Sequence, residues 1–307
     1  MRSCTPAFVA RAAWGRGALV AFALGLVAPG SPASAEVQER TFPSPSLGRE
    51  VRYAVDLPAT YGTSDKRYPV VYALHGLFEG PGFWERRGLS TILAGLREEK
   101  AVSEFLLVAV DGGNSFFLNR PLGRFEDLAT RDVVEHVEKS YRVLAGPAHR
   151  ALLGISMGGY AALRVGLREP DRFAAVATHS AMLLQAIPEP GDGAGRGQMA
   201  AFQAAFGNPI DRELWAAADP LVLAALAGPK GLPALMFDCG AEDRYGLAAG
   251  TRRLHEILQK RQIVHTFELP PGDHGYDYVR TRLDKSLRFL DGVLTRSMHG
   301  AAGSANE

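Results

Sequence analysis

Residues 152–160 constrain the fold more than any other stretch of the chain. They read Leu-Leu-Gly-Ile-Ser-Met-Gly-Gly-Tyr, so an apolar run ends in Gly-x-Ser-x-Gly and passes directly into helical spacing over residues 160–167. A strand that turns into a helix this abruptly forces Ser156 into a strained backbone conformation, with its Oγ exposed at the strand end. Gly154 and Gly158 flank the turn, where a Cβ would collide with neighbouring elements. The stretch predicts a nucleophile elbow; the alternative is a tight turn in which Ser156 only caps the helix.

The rest of the chain alternates strand and helix patterns. Near-continuous apolar runs at residues 68–74 and 105–110 are typical of strands buried on both faces of a parallel sheet. Residues 50–57 alternate polar and apolar side chains, which predicts a half-buried edge strand. Further strands are predicted at 173–177, 233–237 and 264–269, and helices at 127–141, 247–260 and 278–294. This alternation predicts an α/β domain with a doubly wound, mostly parallel sheet.

The first 35 residues have the pattern of a secretory signal peptide. Arg2, Arg11 and Arg16 precede an apolar run at residues 18–28, and small residues follow up to an Ala-x-Ala ending at Ala35. The apolar run is short for a membrane span, so a retained anchor is the weaker alternative. We therefore expect a secreted or periplasmic protein with no stable membrane anchor.

Composition narrows the classes of partner. Charged residues make up 22% of the chain, the formal net charge is +1, and no basic stripe in the sequence suggests a nucleic-acid partner. Cys4 lies in the leader, so Cys239 is left without an internal disulfide partner and is expected to be a small buried side chain.

The domain organisation follows from these patterns. Residues 36–298 are predicted to form the α/β domain, and residues 299–307 a disordered tail. Residues 182–232 have a looser pattern, with Pro and Gly clusters near their start. They form either a cap insertion that shapes the substrate pocket or a plain surface excursion.

A serine nucleophile needs a base and an acid, and both follow predicted strands. His274 lies in a loop after the strand at 264–269 and is the predicted general base. Asp238, Glu242 and Asp243 compete for the acid; Asp243 is favoured because it lies further out, where it can reach a loop histidine, and Glu242 is next. The order Ser, acid, His along the chain is the order that this arrangement requires.

Two backbone amides are expected to stabilise the oxyanion. Met157 directly follows the nucleophile, and Leu77 follows the strand that ends at His75. His75, His179 and His265, which lies within a strand, are all predicted to be structural or to line the substrate pocket.

These residues together resemble the esterase D family of α/β-hydrolases, which includes S-formylglutathione hydrolases, feruloyl esterases and mycolyltransferase antigens. The resemblance rests on five blocks, at residues 74–77, 111–116, 154–160, 239–243 and 271–274. It implies the α/β-hydrolase fold, with Ser156 as nucleophile, Asp243 as acid and His274 as base. It also implies oxyanion amides at Leu77 and Met157, and a place near the pocket for Trp84, which is equally compatible with a core position.

The sequence therefore predicts a secreted serine ester hydrolase that works through an acyl-enzyme and needs no metal or organic cofactor. Its expected substrate is a small-molecule, glycan or lipid ester. An acyltransferase that moves the acyl group to a sugar hydroxyl uses the same residues and is the alternative. A binding protein on a hydrolase scaffold is the third hypothesis.

Overall fold

The computed structural model of the protein describes residues 37–191 and 195–303. The predicted signal peptide at 1–35 lies outside this part of the chain. None of the described helices is long and apolar enough to cross a membrane.

The described residues contain a central sheet of eight strands. In chain order these are β1 (Gln38–Ser44), β2 (Arg49–Asp56), β3 (Val70–Leu74), β4 (Leu106–Val110), β7 (Arg150–Ile155), β8 (Ala175–His179), β9 (Ala234–Asp238) and β10 (His265–Glu268). Strands β5 (Asn119–Arg120) and β6 (Gly123–Arg124) form a separate small hairpin. The sheet order is β1-β2-β4-β3-β7-β8-β9-β10; β1 and β2 are antiparallel to their neighbours and the other pairs are parallel.

The helices connect these strands. They are α1 (Phe83–Arg86), α2 (Leu89–Glu98), α3 (Phe125–Asp127), α4 (Val133–Ser140), α5 (Met157–Arg168), α6 (Arg196–Phe206), α7 (Arg212–Ala218), α8 (Pro220–Leu226), α9 (Leu247–Lys260) and α10 (Tyr276–Gly303). A π-helical turn, Leu128–Asp132, joins α3 to α4.

Both faces of the sheet are covered. Alternate residues of β3 enter two different hydrophobic clusters, Tyr72 and Leu74 in one and Val71 and Ala73 in the other, as expected for side chains on opposite faces of a strand. The first cluster includes residues of α4, α5, α8 and α9, and the second includes residues of α1, α2 and α10. This arrangement confirms the predicted doubly wound α/β fold.

The register brings the ends of the central strands together. Leu74 pairs with Gly154, Ile155 with His179, and His179 with Asp238. Because these strands are parallel, the loops that follow them meet at the carboxyl edge of the sheet, where ligands bind in open α/β folds. The elbow and the loops that carry Asp243 and His274 all begin at this edge.

Two predictions about the ends of the domain differ from the structure. The predicted edge strand, β2, lies inside the sheet, because β1 pairs with it along Gln38–Ser44 and occupies the edge. Pro43 is compatible with this position, since prolines occur in edge strands. The last helix, α10, runs to Gly303, so residues 299–303 of the predicted tail are helical; alanines at 301 and 302 favour that extension.

The looser segment at 182–232 contains helices α6, α7 and α8. Its role as a cap insertion stays a prediction.

Candidate active site

Ser156 lies at a strained turn between β7 and α5. Its backbone angles are φ 52° and ψ −117°, a conformation that side chains rarely adopt and that the surrounding packing imposes. The packing leaves no space for side chains on the flanking glycines. A Cβ on Gly154 would lie 2.4 Å from the carbonyl oxygen of Gly158, and one on Gly158 would lie 2.2 Å from that of Leu74. The turn thus has the geometry of a nucleophile elbow.

His274 and Asp243 form a hydrogen-bonded pair across two loops. His274 Nδ1 donates to Asp243 Oδ2 at 2.8 Å, and the Asp243 side chain is fully buried. Burial alone would raise the pKa of Asp243, but the hydrogen bond and the charge interaction with His274 outweigh it and hold this pKa below its usual value. Asp243 Oδ1 accepts a further hydrogen bond from the Tyr245 amide at 3.0 Å. These contacts keep the carboxylate ionised and leave His274 Nε2 to act as an acceptor.

The two competing acids have other partners. Glu242 Oε2 accepts a hydrogen bond from the Gly272 amide at 2.5 Å and so joins two loops. Asp238 is buried at the end of β9, where it contacts His179 and Tyr278. Neither carboxylate is hydrogen-bonded to His274 in the described part of the chain.

Ser156 and His274 line the same cleft, which has a volume of about 740 Å³. Within the described residues, no hydrogen bond joins Ser156 Oγ to His274; such contacts are often long in unliganded enzymes. Apolar side chains line much of the cleft, among them Leu77, Phe78, Phe83, Met182, Leu184, Ile187, Phe202 and Val279. Glu79, Arg87, Gln198 and Arg244 add polar groups. Across residues 37–191 and 195–303, no group of three His, Cys, Asp or Glu side chains is arranged to hold a metal ion.

The predicted oxyanion amides lie next to Ser156. Met157 is the first residue of α5, and Leu77 lines the cleft. A Cβ on Gly76 would lie 3.5 Å from Ser156 Cβ, so the segment before Leu77 passes close to Ser156. No acceptor among the described residues takes a hydrogen bond from either the Leu77 or the Met157 amide.

His75 and Trp84 are buried and do not line the cleft, unlike the pocket positions considered for them. His75 is fully buried; its Nδ1 donates to the Gly76 carbonyl at 2.7 Å, and its Nε2 accepts from the Gly112 amide at 3.0 Å. Burial lowers the pKa of His75, so the ring is neutral and ties the ends of β3 and β4 together. Trp84 is 1% exposed and packs in the cluster that includes α2 and α10. Both residues are structural because the sheet and its helices enclose them.

Three contacts in the site were not foreseen. The Cys239 thiol donates to Asp243 Oδ2 at 3.4 Å, and burial raises the pKa of this thiol to about 12, so it remains protonated. The Tyr245 ring packs edge-on against His274, with 4.8 Å between ring centres. Asn114 Oδ1 accepts from the Phe78 amide at 2.7 Å. Only the four-residue spacing of Cys239 and Asp243 carries a local signal; the other two contacts depend on tertiary structure.

The sheet order, the strained Gly-x-Ser-x-Gly turn and the Asp–His pair at the carboxyl edge define an α/β-hydrolase. The chain belongs to the esterase family whose model, described as "Putative esterase", matches residues 44–290. This membership confirms the family resemblance seen in the sequence.

Known proteins of similar sequence and structure agree with this family. The esterase Rv1288 of Mycobacterium tuberculosis (strain ATCC 25618 / H37Rv) is 28% identical over 289 residues, which cover 87% of this chain and 60% of that protein. The chain thus spans less than two thirds of the length of this relative. Two solved structures share the fold. A ferulic acid esterase is 24% identical, with 85% of this chain and 99% of that chain covered and a TM-score of 0.72. An S-formylglutathione hydrolase from Agrobacterium tumefaciens is 18% identical, with 87% of this chain and 99% of that chain covered and a TM-score of 0.69.

Proposed function

We propose that the protein is a serine hydrolase that cleaves carboxylic esters through an acyl-enzyme. The observation that carries the proposal is the His274–Asp243 hydrogen bond of 2.8 Å in a cleft that also exposes Ser156 at a strained turn. Esterase activity in the named relative and the ferulic acid substrate in the name of a structural neighbour support an ester as the substrate. The predicted signal peptide at 1–35 makes export part of the proposal.

The first half-reaction starts with the Ser156 hydroxyl. Its Oγ attacks the ester carbonyl carbon while His274 Nε2 accepts the hydroxyl proton, and Asp243 stabilises the imidazolium that forms. The carbonyl oxygen becomes an oxyanion, to which the Leu77 and Met157 amides donate. The tetrahedral intermediate collapses when the carbon–oxygen bond to the leaving alcohol breaks, and His274 returns its proton to that alcohol.

The second half-reaction repeats these steps with water. His274 accepts a proton from the water as its oxygen attacks the acyl carbon, and the bond to Ser156 Oγ breaks with return of a proton to the serine. A sugar hydroxyl in place of water would make the same site an acyltransferase. Among the described residues that line the cleft, no contact favours that acceptor over water.

Hydrolysis of p-nitrophenyl esters, from acetate to palmitate, tests the proposal. We expect Ser156→Ala to lower kcat by about 10⁴–10⁶-fold, because a triad without its nucleophile retains only binding and oxyanion stabilisation. Ser140→Ala is the matched control: Ser140 also lies near a histidine, with its Oγ 3.5 Å from His136 Nδ1, but on the surface at the end of α4. It should keep full activity.

Labelling with a fluorophosphonate probe gives a second measurement, since the probe reacts with activated serines. The wild-type protein and Ser140→Ala should be labelled, and Ser156→Ala should not. Ester hydrolysis or labelling that survives in Ser156→Ala would contradict the proposal.

A further inference from the structure

A buried polar cluster lies behind the candidate active site and outside the residues that line its cleft. We call it the Asp238 cluster; it consists of His179, Asp238, Tyr278, Arg282 and Ser286. His179, Asp238 and Ser286 are at most 1% exposed. A charged carboxylate at such a site is costly unless several donors compensate it, which makes the arrangement of its partners informative.

Three side chains contact the Asp238 carboxylate as hydrogen-bond donors. Its Oδ1 accepts from the Tyr278 hydroxyl at 2.6 Å, and its Oδ2 lies 3.0 Å from His179 Nδ1 and 3.3 Å from Arg282 Nε. Burial would raise the pKa of Asp238, but the His179, Tyr278 and Arg282 contacts outweigh it and hold this pKa below its usual value. The carboxylate is therefore ionised within the core.

Further hydrogen bonds extend the cluster on both sides. His179 Nε2 lies 3.1 Å from Ser286 Oγ in α10, so the His179 ring bridges the end of β8 and this helix. Arg282, also in α10, pairs with Glu268 at the end of β10. The cluster thus ties the ends of β8, β9 and β10 to the helix that begins just after His274.

The same residues connect to the segments that carry Ser156 and His274. On the nucleophile side, the Ser156 amide donates to the His179 carbonyl at 3.1 Å, and the Ser180 amide donates to the Asp238 carbonyl at 2.7 Å. The first bond places the backbone of His179 directly beside that of the elbow, and the second joins the residue after His179 to Asp238 at the end of β9.

On the base side, Tyr278 lies in the first turn of α10, four residues after His274. Its ring packs against the loop before His274, because a Cβ on Gly272 would lie 2.6 Å from Tyr278 Cδ2. Tyr278 therefore contacts the loop that carries the base from the first turn of the helix that follows this loop.

We propose that Asp238 is a positioning residue that fixes the His274 loop relative to Ser156, acting through Tyr278 on one side and His179 on the other. This proposal rests on the proposed ester hydrolysis. Asp238 does not touch the cleft, so it acts on the distance and direction between the base and the nucleophile. Small displacements of this kind cost activity, since about 1 Å of misplacement can lower a rate by about 10²-fold.

The variant Tyr278→Phe tests the proposal, because it removes only the hydroxyl that reaches Asp238 and keeps the ring on Gly272. We expect kcat for p-nitrophenyl ester hydrolysis to fall about 10-fold with KM nearly unchanged, since the cleft walls remain intact. The matched control is Ser103→Ala. Ser103 Oγ donates to Asp291, which belongs to the same helix, α10, but lies 17 residues after His274 in the chain. This control should lower the melting temperature without lowering kcat.

¹H NMR spectroscopy measures the positioning of His274 independently of activity. The proton of the His274–Asp243 hydrogen bond is expected at low field in the ¹H NMR spectrum and should vanish in Asp243→Asn, which assigns it. In Tyr278→Phe this resonance should shift or broaden, and in Ser103→Ala it should stay unchanged.

Wild-type kcat and an unchanged resonance in Tyr278→Phe would overturn the positioning role, as would an equal loss of kcat in Ser103→Ala. A wild-type protein without ester hydrolysis would instead contradict the proposed function. In that case the NMR resonance of the His274–Asp243 hydrogen bond still tests the positioning role of Asp238, because its measurement needs no catalytic activity.

Discussion

Asp243 shows how completely a carboxylate must be held to orient a histidine. Its Oδ2 contacts His274 Nδ1 and the Cys239 thiol, and its Oδ1 accepts from the Tyr245 amide. With both oxygens occupied, the carboxylate defines the direction of the His274 ring. Glu242, the adjacent acid, turns to the Gly272 amide instead.

Replacement of Asp243 by Asn tests this assignment. We expect Asp243→Asn to lower kcat about 10³–10⁴-fold, because the amide cannot stabilise the imidazolium and favours the wrong tautomer of His274. The neighbouring Glu242→Gln should retain most of the activity. The assignment fails if Asp243→Asn turns over p-nitrophenyl acetate like the wild type, or if Glu242→Gln loses as much as Asp243→Asn.

At the scale of elements, the segment after β3 is held from both sides. His75 accepts from the Gly112 amide, and the Phe78 amide donates to Asn114 Oδ1. Phe78 has φ 63°, a strained value for a side chain of this size, so the segment needs these bonds to stay in place. Leu77, which offers an oxyanion amide in the proposed mechanism, lies between these two anchors.

The Asn114→Ala variant should therefore act on catalysis rather than on folding. We expect kcat to fall roughly 10-fold, less than the 10²–10³-fold typical of a lost oxyanion donor, since the Leu77 amide is loosened but still present. Asn119 provides the comparison: its Oδ1 accepts from the Glu126 and Asp127 amides at the start of α3, outside the cleft lining. Steady-state kinetics of Asn119→Ala should show wild-type kcat, and equal kcat losses in the two variants would refute the role of Asn114.

For the whole molecule, the lowered pKa of the buried Asp238 carboxylate predicts sensitivity to acid. The pKa of Asp238 lies below its usual value of 3.8 in the folded protein, so the folded state binds fewer protons than the unfolded state as the pH falls. The stabilisation from Asp238 is therefore fully present above about pH 5, and it is lost as the pH falls below 3.8 through the folded-state pKa.

Urea unfolding at pH 7 and pH 3 measures this contribution. Asp238→Asn should be less stable than the wild type at pH 7, and its free energy of unfolding should fall less between the two pH values. The exposed Asp65→Asn should show the same fall as the wild type. A fall in Asp238→Asn as large as that of the wild type would show that Asp238 does not contribute to acid unfolding.

Most of the fold could be predicted because its signals are local. The helix predicted at 247–260 has those bounds in the structure, as α9, since one apolar face recurs at helical spacing. The strands β3 and β4 could be predicted from apolar runs, because a strand buried on both faces has apolar side chains at successive positions. The edge strand was assigned wrongly because β1 contains Pro43 and exposed side chains, and only its pairing with β2 reveals it.

The sequence by itself determined the elbow at Ser156, the alternation of strands and helices, and the chain order of the proposed nucleophile, acid and base, because these depend on residue type and spacing. Tertiary structure alone decided that His274 is hydrogen-bonded to Asp243 rather than Glu242, that His75 and Trp84 are buried and do not line the cleft, and that Asp238 meets Tyr278. Those outcomes depend on strand register and helix packing, which bring together side chains far apart in the chain.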